Sequence, residues 1–75
     1  MEVGANSEAL YWEASYEIVQ ALMSGYPAIN VEDVGIEQLH TLIIELPNFA
    51  DDPALANEGI LNEILREWYE EVNAL

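Results

Sequence analysis

The chain reads as a mainly α protein, a small domain of three helices. Three observations predict it. Apolar residues recur at helical spacing in three separate segments. Glycine or proline closes the first two segments, at Gly25-Tyr26-Pro27 and Leu46-Pro47. The length of 75 residues leaves room for one modest core and no more. There is no internal repeat, and no apolar run approaches the ~20 residues of a membrane span.

Residues 1–10 are expected to be a flexible N-terminal segment, and residues 11–75 a single domain. The opening Met1-Glu2-Val3-Gly4-Ala5-Asn6-Ser7-Glu8 has no positive region and no apolar run. It is therefore not a secretory signal, and a cytoplasmic location is expected. The first helix is expected from about Trp12 to Ser24. Tyr11, Ala14, Ile18, Ala21 and Leu22 form its inward face and Glu13, Glu17, Gln20 and Ser24 the outward one. A second apolar strip, Trp12, Tyr16, Val19 and Met23, flanks the first; it is either covered by the third helix or exposed as a partner surface.

The linker 28–35 has two readings. Asn30-Val31-Glu32-Asp33 fits a capped turn, while Ile29, Val31 and Val34 fit a brief extended piece. The second helix should cover Glu37 to Leu46, with Leu39, Leu42, Ile43 and Leu46 inward. Asp52-Pro53 looks like a helical start, aspartate capping and proline first. Gly59 suggests an irregular opening. From Asn57 onward Ile60, Leu61, Ile64, Leu65, Trp68 and Val72 make the core stripe, leaving Glu58, Asn62, Glu63, Arg66, Glu67, Glu70 and Glu71 in water.

Charge is the outstanding property. Fifteen acids face one basic side chain, Arg66, for a formal net charge of -14 at pH 7. A small domain is comfortable at a magnitude of about 2–8. Yet 52% of residues are hydrophobic and mean hydropathy is +0.06, so the chain has the apolar content to fold. Binding to nucleic acid rests on Lys and Arg displacing counterions from phosphate, and one arginine cannot do that here. The third helix is conspicuous: Glu63–Glu67 and Glu67–Glu71 are like-charge pairs one turn apart, each costing about 0.2–0.5 kcal/mol. Glu70 and Glu71 add negative charge at the negative end of the helix dipole. Such a surface needs a cationic counterpart.

No cysteine is present. That excludes disulfides, thiolate zinc sites and a cysteine nucleophile, and argues against a resident iron–sulfur cluster. Phosphate-binding glycine loops, nucleophile elbows and His-Glu-x-x-His are absent too, so an enzyme is not expected. Glu13 and Glu17, one turn apart, are candidate ligands for a hard cation, as are Asp51, Asp52 and Glu58 near the third helix. The competing reading makes the first two a solvated face and Asp52 a cap. His40, the only imidazole, is expected to pack or hydrogen-bond, and Trp12 and Trp68 to anchor the core.

Trp12-x4-Glu17-Ile18, Ala21-Leu22, Tyr26-Pro27, Leu39-His40, Leu46-x2-Phe49-x-Asp51-Asp52-Pro53, Asn57-Glu58-x-Ile60-Leu61, Ile64-Leu65 and Trp68 together resemble the IscX family. These are small acidic proteins of bacterial iron–sulfur cluster assembly, and the likeness spans Tyr11 to Val72. It implies a helical fold related to the winged helix, with the wing reduced or absent. It further implies binding to the pyridoxal-phosphate cysteine desulfurase, weak affinity for iron(II) with no tightly bound cofactor, and a regulatory or iron-adaptor role like frataxin's. The chain departs from the family pattern at Asn48 and Ala50, where acids are common, and lacks basic residues near Tyr16, Glu32 and Gly35. Those losses leave a more uniformly negative surface, suited to a basic partner.

The protein is thus expected to be a monomeric adaptor. Its docking face is Glu13 and Glu17 with Trp12 and Tyr16 beside them, together with Glu63, Glu67, Glu70 and Glu71. The alternative is a DNA mimic or another acidic inhibitor module, whose carboxylates imitate phosphates.

Overall fold

The computed structural model describes residues 9–74. It contains three α-helices: α1, Ser15–Gly25; α2, Ile36–Ile44; and α3, Glu58–Val72. Two single 3-10 turns, Val31–Asp33 and Pro53–Leu55, lie between them. Among the described residues there is no strand, only an isolated parallel bridge between Leu10 and Phe49. The mainly α, three-helix reading therefore holds. No described helix is long and apolar enough to cross a membrane.

α1 packs chiefly on α3, and α2 closes the other side of the same core. The body measures 35 × 32 × 17 Å. With helices packed about 8–10 Å apart this is a slab two helices deep, so every helix keeps one face in water. Ile18, Val19, Leu22, Leu39, Ile43, Ile64 and Trp68 are fully buried, and no described polar or charged side chain is buried with them. Every described carboxylate stays at least partly in solvent, where its charge is not desolvated.

α1 begins three residues later than its periodicity suggests. The segment ahead of it is held elsewhere. Leu10 donates to the Asn48 carbonyl and accepts from Ala50 N–H, both at 2.9 Å, and the Asp51 carboxylate takes the Trp12 N–H. Residues that bond sideways cannot also wind into a helix. Tyr11, expected inward, is consequently exposed. Leu10 belongs to the core, so packing starts one residue before the expected boundary at Tyr11. The flexible segment expected over 1–10 otherwise falls on residues 1–8, outside the described residues.

Between α1 and α2 the capped turn prevails over the extended piece. The Asn30 side chain accepts from Glu32 N–H, while Asp33 contributes its backbone N–H to the Asn30 carbonyl. α2 stops at Ile44 rather than Leu46, because the residue before proline disfavours the helical region. Leu46 still turns into the core. Asn57 caps α3 by accepting from Ile60 N–H at 2.9 Å. At the far end, where the dipole favours a cation, only the neutral Asn73 meets the Tyr69 carbonyl. Leu61, Ile64 and Trp68 form the buried stripe of α3. Val72, expected in that stripe, is exposed, at the rim of an apolar recess lined by Met23, Tyr26, Ile29 and Trp68.

Candidate functional site

The site is assembled by a latch between residues 10–14 and 48–57, with Trp12 at its centre. Asp51 spans two chain segments, one carboxylate oxygen accepting Trp12 N–H at 2.9 Å and the other Asp52 N–H at 2.8 Å. The Trp12 indole N–H donates to the Asp52 carbonyl at 2.8 Å. Asp52 caps the Pro53–Leu55 turn through Ala54 N–H at 3.0 Å, as its sequence position suggests. His40 stacks on the indole, ring centres 5.7 Å apart and planes 14° from parallel, and its Nε2 meets the Pro53 carbonyl at 2.9 Å. A carbonyl only accepts, so Nε2 carries the proton. Phe49 meets the indole edge-on at 5.0 Å.

The run Phe49-x-Asp51-Asp52-Pro53-x3-Asn57 is thereby accounted for residue by residue. Phe49 packs on Trp12, Asp51 clamps it, Asp52 caps, Pro53 receives His40 and Asn57 starts α3. These polar side chains serve architecture first. Trp12 is 5% exposed, so it offers a partner little surface of its own. The strip in which it was grouped is split, since Val19 is buried, Met23 half-buried, and Tyr16 alone well exposed.

Above the latch lies an open groove of ≈ 450 Å³ between the start of α1, the Pro53–Leu55 turn and α3. Trp12, Leu55, Ile60 and Ile64 provide its apolar surface, and Glu13, Asp51 and Glu63 its carboxylates. Ser15 closes one end by donating to Glu67 at 3.0 Å, across 52 residues of sequence. Glu13 sits in the turn ahead of α1. The Glu13–Glu17 pair is therefore not displayed one helical turn apart, and Glu17 stands on α1 away from the groove. Asp51 lines the groove, whereas Asp52 and Glu58 are exposed outside its lining. Among the described residues no group of three His, Cys, Asp or Glu side chains converges as a metal site would. Glu63, Glu67 and Glu71 follow one another down the same side of α3, and Glu70 lies outward of them. Sequence reasoning missed Ser15, Leu55 and Ile60 as groove residues. Nothing local marks them, because the groove joins positions 40–50 residues apart.

The described residues thus form a small helical body with carboxylates around a shallow groove. The chain belongs to the IscX family: the model described as iron–sulphur cluster assembly matches residues 10–73. It is also similar to an uncharacterized protein of Pseudomonas aeruginosa, 33% identical over 63 residues, which cover 84% of this chain and 96% of that protein. The matched span opens at Leu10, the first residue of the latch.

Proposed function

We propose that this protein is a cytoplasmic, monomeric and non-catalytic adaptor of iron–sulfur cluster assembly. It docks on a basic surface of the cysteine desulfurase and carries iron(II) weakly. The supporting observation is the conjunction of family membership over residues 10–73 with a net charge of -14, every described carboxylate keeping some contact with solvent. Complementary charge steers encounter and fixes register, and a few apolar contacts set residence. Glu13, Tyr16, Glu17, Glu63, Glu67, Glu70 and Glu71 form the docking face, with Trp12 shaping it from beneath. The kinship proposed for the fold is the winged helix, without a wing among the described residues.

Iron is cargo in this reading. Glu13, Glu17 and Glu58 and the spare lone pairs of Asp51 and Asp52 supply oxygen ligands one or two at a time, water completing the sphere. That suits a hard cation held loosely. If iron and desulfurase share these carboxylates, each lowers the other's affinity by the same factor.

The test is an isotope-labelled titration with the desulfurase at two ionic strengths. Resonances of the docking face should broaden, and affinity should fall as the Debye length shrinks from about 30 Å at 0.01 M to about 8 Å at 0.15 M. Absence of binding, or an affinity indifferent to salt, overturns the reading. Anaerobic iron(II) should shift the same carboxylate-bearing residues and weaken the desulfurase complex.

A further inference from the structure

From the groove between α1, the Pro53–Leu55 turn and α3 we infer a receptor for one arginine side chain of a basic protein partner. The proposal rests on the docking reading above for the partner's identity; the chemistry of the groove stands without it.

Two properties select the occupant. The lining includes Trp12, Leu55, Ile60 and Ile64, and Leu55, 59% exposed, presents its apolar surface to whatever enters. Long cationic side chains lay their methylenes along such surfaces while the head group stays polar. Around this lining stand Glu13, Asp51 and Glu63, and no basic residue. Asp51 has both oxygens engaged in the latch. Among the described residues Glu13 and Glu63 have no hydrogen-bond or ion-pair partner, so their charge is unmatched.

The kind of cation follows from how those carboxylates are spread. They do not converge on a point, since no described trio of acidic or histidine side chains could hold a metal ion. A metal ion or an ammonium group is a point charge. A guanidinium is a plane with five N–H donors, able to reach acceptors on both sides of a groove, and it is weakly hydrated enough to leave water for an apolar lining. Arginine fits better than lysine or a bare ion.

The experiment titrates the labelled protein with N-acetyl-arginine methylamide, against the neutral isostere N-acetyl-citrulline methylamide. The expected result is a saturable shift of the Trp12 indole N–H and of the Glu13, Ser15, Leu55 and Glu63 amides, with the Trp68 indole unmoved and citrulline far weaker. The double variant Glu13→Gln/Glu63→Gln should lose about fivefold in affinity. Glu37→Gln/Glu45→Gln removes the same charge from α2 and the residue that follows it, and should stay within about twofold of the parent. Leu55→Ala, at an exposed position that does not threaten folding, should weaken binding as well. Equal shifts with citrulline, or equal losses in the two double variants, would overturn the proposal, because binding would then be neutral stacking or diffuse charge. Titrating the same variants with the desulfurase separates the two readings. Desulfurase that ignores the parent chain removes the docking reading and leaves the arginine result standing. Desulfurase that binds Glu13→Gln/Glu63→Gln as tightly as Glu37→Gln/Glu45→Gln removes the groove and leaves docking intact.

Discussion

The two flanks of α3 are built to different rules around one buried stripe. At about 100° per residue, Ile60, Glu63, Glu67 and Glu71 descend the side next to the start of α1, where Ile60 and Glu63 line the groove with Trp12 and Ser15. Asn62, Leu65, Tyr69 and Val72 descend the other side. There Asn62, Leu65 and Tyr69, with no acid of their own helix among them, share a shallow depression with Val31, Glu32, Val34 and the lone Arg66. Both flanks border the buried stripe of Leu61, Ile64 and Trp68. Only one stacks three glutamates at successive turns, at about 0.2–0.5 kcal/mol per repelling pair. The neutral flank shows that folding does not require this. On the docking reading proposed above, the acid flank is where stability is given up for recognition.

Removing the support of the acid flank should have the largest effect. Trp12→Ala deletes a buried indole, its hydrogen bond to Asp52, the His40 stack and the Phe49 contact together. A loss of about 3–5 kcal/mol in chemical denaturation is expected, most of what a small domain holds. Tyr69→Ala on the neutral flank, 43% exposed, should cost under about 1 kcal/mol. Similar costs for the two would show that the latch is incidental and the flanks equivalent.

Charge reversal should then separate stability from binding. Glu71→Lys converts the Glu67–Glu71 repulsion into a favourable pair and places a cation at the negative end of α3. A gain of about 0.5–1 kcal/mol is expected. Desulfurase affinity should fall in the same variant. Added salt should act alike, raising the melting temperature by screening self-repulsion while weakening the complex. A melting temperature that drops between low and physiological salt would mean that the acid flank is internally compensated.

The core stripe was legible from sequence at Leu61, Ile64 and Trp68 because 3.6-residue periodicity reports burial directly, though Val72, counted in it, is exposed. The caps at Asn30 and Asp52 were legible for the same local reason, whereas the cap at Asn57 emerged only in the structure. What periodicity misplaced was the segment Tyr11–Ala14. Its apolar spacing is helical, but a carboxylate 39 residues away takes the Trp12 N–H, and tertiary bonding outweighs weak local propensity. The groove was hidden by the same distance. Glu13 and Glu63 each look like one more solvated acid until the latch brings their elements together. The family likeness included the Phe49–Asn57 run, and in the structure those residues build the latch.

Gly59 lies on the seam between the flanks, lining a shallow groove with Asn62, Glu63 and Arg66, and offers the finest test. An alanine in a helix is worth about 0.8–1.0 kcal/mol over glycine, and Gly59 has no positive φ to protect. A Cβ there, however, would come within 3.2 Å of the Asn57 side-chain oxygen, the atom that caps Ile60 N–H. Gly59→Ala alone should therefore change stability by less than about 0.5 kcal/mol, propensity gained and cap strained. In the Asn57→Gly background, where that oxygen is gone, the same substitution should stabilise by close to the full helix increment. The cycle should give a coupling of about 0.5 kcal/mol or more. Equal gains in both backgrounds would show that Asn57 yields freely, and that the glycine is not kept for the cap which starts both flanks.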